Sequence, residues 1–296
     1  MRRFQGCGTA LVTPFSQSGE LDLPALRALV QWQIAEGIDF LVACGSTGEA
    51  QTLSDEERRT VVATVIEAAA GQVPVVAGAT SNDTARAMAE TKAMCALGVD
   101  AILSAAPYYN KPTQAGLERH FLAVAEASTR PVILYNVPSR TAVNIAPATV
   151  LRLAEHPNIG AIKEASGDLN QMMRIIKDRP DQFLVLSGDD ALTLPLIAVG
   201  GDGIISVVSN EVPGPMSRLT HLCLEGNFAE ARSLHYRLLP LIEANFIETN
   251  PGPAKCALEL MGKLQNVLRL PLVPVMPTTK KALEAVLRDL LVEAVA

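Results

Sequence analysis

The stretch GAIKEASGD, residues 160–168, starts as a short apolar run and ends in small and polar residues. An apolar run of this length that closes in a loop predicts a strand buried on both faces, as in a parallel sheet. Lys163 lies near the end of this strand, where removing an ammonium group from water is costly. The stretch therefore predicts a buried parallel sheet with a charged group at one end of a strand.

Seven other apolar runs of similar length occur along the chain, and amphipathic helical patterns separate them. Eight strand–helix units predict an α/β fold of the (β/α)8 type, a closed TIM barrel. A doubly wound open sheet is the alternative, which is disfavoured because the units number eight and no GxGxxG follows the first strand. The predicted strands cover 7–12, 39–44, 73–79, 100–106, 131–137, 160–165, 183–188 and 203–208.

The helical patterns between these strands show an apolar stripe at helical spacing. One helix opens with a capping box, in which Ser54 is followed three residues later by Glu57. Gly37, Gly71 and Gly98 follow their helices as C-terminal stops. The other predicted helices of the barrel cover 22–35, 82–97, 114–128, 147–154, 170–176 and 191–199.

After the last predicted strand the sequence contains only helical patterns. The longest covers 228–248, and two more cover 254–261 and 280–295. The sequence thus predicts a catalytic barrel at 1–225 and a C-terminal helical extension at 226–296. We expect the extension to be an appendage of the barrel and not a second active domain.

Composition and charge argue against several classes of protein. The 296-residue chain has a net charge of −6 and no basic run, which disfavours nucleic acid or an anionic membrane as a partner. No apolar stretch is long enough to span a bilayer and no signal-peptide pattern is present, so we expect a cytoplasmic protein. The five cysteines and four histidines lack metal-ligand spacing, so we expect reduced thiols and no protein-bound metal.

In a barrel of this kind the chemistry takes place at the carboxyl ends of the strands. Lys163 and Glu164 are adjacent in a strand, so one points into the barrel and the other toward the helices, where it could meet a cation. Lys163 has two interpretations. It is either half of a structural ion pair, or an amine whose pKa is lowered by burial and which forms a Schiff base with a ketone.

Other predicted strand ends carry hydroxyl, amide and guanidinium groups. Tyr108, Tyr109 and Tyr135 either pack in loops or relay protons during imine formation. The loop GSTG, residues 45–48, has the small residues of an anion-binding nest in front of a helix N-terminus. Arg140 is either a solvated loop charge or the bidentate partner of a carboxylate.

Four motifs carry a resemblance to a known family: GSTGE (45–49), PYYNKP (107–112), YNVPSRT (135–141) and KEASGD (163–168). Together they resemble the pyruvate-dependent class I aldolase superfamily, and within it most closely the dihydrodipicolinate synthase family. The resemblance extends over essentially the whole chain. It implies condensation of pyruvate with L-aspartate 4-semialdehyde, in lysine and diaminopimelate biosynthesis.

The resemblance also implies the catalytic residues. Lys163 forms an imine with pyruvate, so that no cofactor is needed. Tyr135 is the central acid/base of a proton relay that also includes Ser46 and Tyr109. A neighbouring subunit supplies Tyr109, and the family is usually a homotetramer built as a dimer of dimers.

The same resemblance implies the substrate contacts. Ser46 and Thr47 hold the pyruvate carboxylate, and Arg140 binds the carboxylate of the semialdehyde. Gly188 and Ile205 contribute main-chain carbonyl contacts. Ser46 stands where most members have threonine, but it keeps the hydroxyl group that the relay needs.

A second predicted cleft departs from the lysine-inhibited members of the family. Asn82 and Tyr108 match those members, whereas Arg86 stands where they have a glutamate for the amino group of the ligand. Asp55 and Arg58 stand where they often have histidines. Because a cation repels a cationic ligand, the sequence predicts that lysine inhibits weakly or not at all.

Three other functions stay open on the sequence alone. The GSTGE motif also occurs in sialic-acid lyase-like relatives, which leaves an aldolase for a sugar acid of the 2-keto-3-deoxygluconate or N-acetylneuraminate type; Arg140 instead resembles the synthases. A non-catalytic 2-oxo-acid-binding protein is disfavoured by the presence of Lys163, Tyr135 and Tyr109. A metal-dependent barrel aldolase is disfavoured by the scattered histidines and cysteines.

Overall fold

The strands close into a barrel. In a computed structural model of the chain, which describes residues 1–293, eight parallel strands are hydrogen-bonded in sequence order and the eighth pairs with the first. This confirms the predicted (β/α)8 fold and excludes the open doubly wound sheet. The strands are β1 Gly6–Ala10, β2 Phe40–Ala43, β3 Val75–Gly78, β4 Ala101–Ala105, β5 Val132–Asn136, β6 Ile159–Glu164, β7 Leu184–Ser187 and β8 Gly203–Ser206.

Helices follow the strands and surround the barrel. They are α1 Leu23–Ala35, α2 Asp55–Ala69, α3 Thr84–Ala96, α4 Gln114–Ala127, α5 Pro138–Thr141, α6 Pro147–Ala154, α7 Leu169–Asp178, α8 Thr193–Ala198, α9 Pro213–Leu224, α10 Phe228–Ala244, α11 Gly252–Leu260 and α12 Pro277–Glu293. The capping box at the start of α2 is confirmed, because Ser54 and Glu57 exchange both hydrogen bonds. The three predicted glycine stops have positive φ angles, which confirms them as helix ends.

Some helix bounds differ from the prediction for local reasons. The predicted helix 191–199 begins as a 3₁₀ turn, Asp190–Leu192, because the Asp189 carboxylate caps the chain at Ala191. The predicted helix 228–248 ends at Ala244, where the chain turns toward the barrel. One-turn α5 was not predicted, and residues 294 and 295 of the predicted helix 280–295 lie outside the described residues.

Apolar side chains fill two layers, one inside the barrel and one between the strands and the helices. Phe4 and Phe40 meet edge to face at 5.7 Å near the amino ends of the strands. Above them, alternate strand positions such as Val42, Ile133 and Leu186 fill the interior. Because this packing closes the amino-terminal half of the barrel, the space for a site lies at the carboxyl ends of the strands.

The C-terminal helices pack as an extension beside the barrel. Helix α10 contacts α9 and α12, and α11 contacts α12. The domain boundary predicted after residue 225 falls between α9 and α10 and stays a prediction. Among the described residues, no helix has both the length and the apolar character to cross a membrane.

Candidate active site

A cavity of about 240 Å³ lies at the carboxyl ends of the strands. Six of the eight residues predicted to act on or bind the substrates line it: Ser46, Thr47, Tyr135, Arg140, Lys163 and Gly188. The other lining residues are Val137, Ser139, Ala165, Asp189, Val207, Phe246 and Asn250. The fold therefore gathers residues from several distant positions in the sequence into one pocket.

Lys163 points into the barrel from β6 and is 4% exposed. It pairs in register with Tyr135 on β5, and its Nζ lies 4.4 Å from the centre of the Tyr135 ring. No carboxylate or hydrogen-bond acceptor among the described residues contacts this amine. Gly188 leaves room for the side chain, since a Cβ there would come within 3.0 Å of Lys163 Cε. The amine is thus buried, unpaired and open to the cavity.

Glu164 points the other way, toward the helices, which confirms the predicted alternation. The sequence left open that the residue facing the helices could meet a cation, but in the described chain amide groups surround Glu164 instead. Asn136 and Gln171 donate side-chain hydrogen bonds to its carboxylate, and the Ser166 N–H donates to Oε1 at 2.7 Å. Burial raises the pKa of Glu164. Because Asn136 follows Tyr135, this network ties the ends of β5 and β6 together behind the pocket.

The loop after β2 carries the predicted carboxylate-binding residues. Ser46 is exposed and Thr47 is buried, and neither backbone N–H donates to an acceptor among the described residues. The helix predicted after this loop begins at Asp55, as its capping box indicated, and a 3₁₀ turn, Ala50–Thr52, separates the helix from the loop. The available donors are therefore the loop amides themselves, which form an anion nest without a helix behind them.

Arg140 enters the cavity from α5, the one-turn helix that Pro138 begins. Its Nη2 donates to the carbonyl oxygen of Asn250 at 3.3 Å. Asn250 Nδ2 in turn donates to Thr47 Oγ1 at 3.0 Å. The guanidinium has no carboxylate partner within the part of the chain that the structure describes, so its charge is available to a ligand.

Two predicted residues are not brought into this cavity. Tyr109 is 89% exposed, with φ at +73°, on the loop after β4. Ile205 is buried inside the barrel on β8 and does not line the cavity. The roles of both residues stay predictions. The placement of Tyr109 agrees with its expected contribution to a neighbouring subunit.

The cavity also holds residues to which no role had been assigned from the sequence. Asn250 begins the stretch NPGPAK, residues 250–255, which precedes and enters α11. Asp189 follows Gly188 after the end of β7. Phe246 follows α10 and reaches the cavity from the C-terminal extension, and no sequence signal identified it.

A second cavity, of about 580 Å³, brings together the residues of the predicted effector cleft. Asn82, Arg86 and Tyr108 all line it. Arg58 also lines it and is neutralised by Glu90, with Nη1 and Oε1 2.5 Å apart. The Arg86 guanidinium has no such partner among residues 1–293. Asp55 and Arg59 also line the cleft, so its three arginines exceed its two carboxylates and leave it with a net positive charge.

Cysteine and histidine positions show no metal centre in the described chain. The five cysteines are free thiols. No group of three His, Cys, Asp or Glu side chains within residues 1–293 is placed to hold a metal ion. His221 pairs with Asp39, which raises the pKa of the imidazole, and the pair is half-exposed and structural.

Fold and site together define a (β/α)8 barrel with an unpaired lysine, a tyrosine and an arginine in one pocket, the set of groups found in Schiff-base aldolases. Residues 3–290 match the model of the dihydrodipicolinate synthetase family. The chain belongs to that family.

Individual relatives agree over nearly their full lengths. The 4-hydroxy-tetrahydrodipicolinate synthase of Koribacter versatilis is 55% identical over 285 residues, which are 96% of this chain and 95% of that protein. A crystal structure of a dihydrodipicolinate synthase superposes with a TM-score of 0.94 at 49% identity, covering 97% of this chain and 99% of the other. A monomeric variant of dihydrodipicolinate synthase superposes with a TM-score of 0.96 at 42% identity, covering 97% of each chain.

Proposed function

We propose that this protein condenses pyruvate with L-aspartate 4-semialdehyde to give 4-hydroxy-tetrahydrodipicolinate, a step in lysine and diaminopimelate biosynthesis. It is a lyase of the Schiff-base pyruvate aldolase class. The observation that carries the proposal is the unpaired amine of Lys163 in a cavity that also holds Tyr135 and Arg140. Membership in the dihydrodipicolinate synthetase family supports the choice of reaction.

Lys163 begins the reaction as the nucleophile. Its amine attacks the ketone carbon of pyruvate, and water leaves to form an iminium ion. The iminium acidifies the methyl group, which loses a proton and becomes the enamine. The enamine carbon adds to the aldehyde, and the amino group of the product then attacks the imine carbon, closing the ring and releasing Lys163. The imine itself serves as the electron sink, so this route needs no bound metal or cofactor.

Tyr135 is the acid/base of these proton transfers. Its ring lies beside the lysine amine, and it shares the cavity with the Ser46 hydroxyl. We assign Ser46 and Tyr109 to the same relay. Tyr109 reaches it from a neighbouring subunit, because in its own chain this tyrosine is exposed and outside the cavity. A homotetramer built as a dimer of dimers follows as the proposed assembly.

The substrate carboxylates occupy two cationic or amide-rich sites. The amides of Ser46 and Thr47 receive the pyruvate carboxylate, since these donors have no acceptor in the described chain. Arg140 receives the carboxylate of the semialdehyde. We assign the carbonyls of Gly188 and Ile205 to the remaining polar contacts.

Borohydride trapping with pyruvate, read by intact and peptide mass spectrometry, tests this function. We expect a reduced pyruvyl adduct on Lys163, and we expect aspartate semialdehyde to discharge the imine before reduction. An adduct that the semialdehyde does not discharge would move the substrate to a sugar-acid aldehyde. If no adduct formed, the proposal would be contradicted, and a 2-oxo-acid-binding protein would be the remaining interpretation.

A further inference from the structure

A second buried lysine lies outside both cavities. Lys255 is on α11, and none of its side chain is exposed. Its Nζ is 2.5 Å from Oε1 of the equally buried Glu49, donates to the carbonyl of Val267 at 2.8 Å, and lies 4.2 Å from the Phe15 ring centre. Oε1 of Glu49 has no polar partner other than Lys255 among the described residues. Burial lowers the pKa of Lys255 to about 8.

Glu49 is the last residue of the loop that carries Ser46 and Thr47. It adopts a left-handed backbone conformation, with φ at +52°, which disfavours a residue other than glycine. Its Oε2 accepts the backbone N–H of Arg269 at 3.1 Å. Two groups from the C-terminal extension, Lys255 and Arg269, thus hold the loop end in a conformation that it would not favour alone.

The same extension contacts this loop at a second position. Asn250, five residues before Lys255, donates to Thr47 Oγ1 at 3.0 Å. The segment 250–255 therefore touches both the middle and the end of the loop. Asn250 also accepts a hydrogen bond from Arg140, which links the two carboxylate sites through the extension.

A buried ion pair is not an efficient source of stability. Replacing such a pair with apolar groups is often neutral or stabilising, whereas a fixed geometry is lost with it. To bind the carboxylate well, the loop amides must be held within about 0.5 Å of the positions from which they can hydrogen-bond to it. A charge pair that fixes the end of the loop therefore keeps the loop amides in position to bind the carboxylate, which an apolar contact would not do.

We propose that the Lys255–Glu49 ion pair is a positioning device by which the C-terminal extension holds the carboxylate-binding loop in its binding conformation. Lys255 and Glu49 are positioning residues, because they act through Ser46 and Thr47 and do not line the cavity themselves. The proposal rests on the proposed function, since it names pyruvate as the ligand of this loop.

Steady-state kinetics of Lys255→Met, Glu49→Gln and the double variant test the proposal. We expect the KM for pyruvate to rise about tenfold or more, with kcat within about threefold of wild type. A purely structural role would lower the active fraction, and hence kcat, and leave the KM for pyruvate unchanged. The control is Lys280→Met, which breaks the exposed pair between Lys280 and Glu259 in the same extension. We expect wild-type kinetics from it.

Hydrogen exchange of the loop amides gives a readout that does not depend on substrate. The amides of Gly48 and Glu49, which donate to the carbonyls of Gly45 and Ser46, should exchange faster in Glu49→Gln and in the double variant than in Lys280→Met. If Lys255→Met alone does not fold, the double variant carries the test, because it leaves no unpaired buried charge. An unchanged KM and unchanged exchange in a folded double variant would overturn the positioning role. Failure of the wild-type chain to form a pyruvate adduct would instead overturn the proposed function.

Discussion

Two lysines are buried in this molecule, and their surroundings differ. Lys163 lies at the end of a barrel strand, faces a cavity and has no anionic partner in the described chain. Lys255 lies in the C-terminal extension, lines neither of the two cavities described above and pairs with Glu49. Burial alone therefore does not mark a nucleophile. Lys255 has a structural environment, whereas Lys163, which a ligand in the cavity can approach, has the surroundings that imine chemistry needs.

The largest expected effect separates the two lysines directly. Lys163→Ala should abolish borohydride trapping and lower activity by at least about a thousandfold, because no other lysine within residues 1–293 lines the cavity. Peptide mapping of the wild type serves as the control, since the adduct should fall on the peptide of Lys163 and not on that of Lys255. An adduct on Lys255 would reverse the assignment.

Stability should distinguish the lysines in the opposite direction. Lys255→Met leaves the Glu49 carboxylate buried without a cation, so the free energy of unfolding should fall by about 3–5 kcal/mol. The double variant Glu49→Gln/Lys255→Met should recover most of that loss. Urea unfolding measures both, with Lys163→Met as the comparison, which we expect to be much less affected. If Lys255→Met and Lys163→Met lowered the free energy of unfolding equally, stability would not distinguish the two lysines.

Arg140 resembles Lys163 in having no carboxylate partner, and its loss should therefore also affect catalysis. Arg140→Ala should lower kcat/KM for aspartate semialdehyde by about 10- to 100-fold, the value of a charge-assisted hydrogen bond. Pyruvate trapping should persist. The control is Arg119→Ala, which removes an exposed arginine from α4, away from the cavity. We expect wild-type kinetics from it. Unchanged aldehyde kinetics would withdraw the assigned role of Arg140.

The pKa of Lys255 predicts a pH dependence of stability. This pKa is lowered to about 8 by burial, whereas an unfolded lysine titrates near 10.4. Between these values the unfolded chain holds a proton that the folded chain has released, so stability rises with pH. The neutral amine still donates to Val267 and lies beside Glu49, whereas a methionine removes both contacts. The free energy of unfolding of wild type relative to the double variant should rise by roughly 2 kcal/mol from pH 8 to pH 10 and stay level below pH 8. If the difference in unfolding free energy between wild type and the double variant did not change with pH, the lowered pKa of Lys255 would be contradicted.

The smallest expected effect concerns the cleft, where a paired and an unpaired arginine lie together. Arg58 is neutralised by Glu90, whereas Arg86 is not, so lysine should inhibit with a constant above about 1 mM. Arg86→Glu should strengthen lysine binding about tenfold, with Arg86→Gln giving a smaller change. Inhibition of the wild type below a millimolar would contradict this interpretation.

The sequence by itself determined the strand–helix alternation, the barrel and most of the pocket. Continuous apolar runs and amphipathic helices are local signals, so strand bounds could be predicted to within two residues. Alternation along β6 also predicted that Lys163 and Glu164 point to opposite faces of the strand. The four motifs that carry the family resemblance added roles for residues such as Tyr135 and Arg140, because each motif falls at a strand end.

Only the tertiary structure decided which charges are paired. The sequence left open that Glu164 could meet a cation, but it lies among amides, and the partner of Lys255 is Glu49, 206 positions away in the sequence. The approach of Phe246 and Asn250 to the cavity depends on where α10 ends and how the extension folds back. Periodicity reports which face of a helix or strand is buried, but it carries no information about the distant group that will meet a charge there.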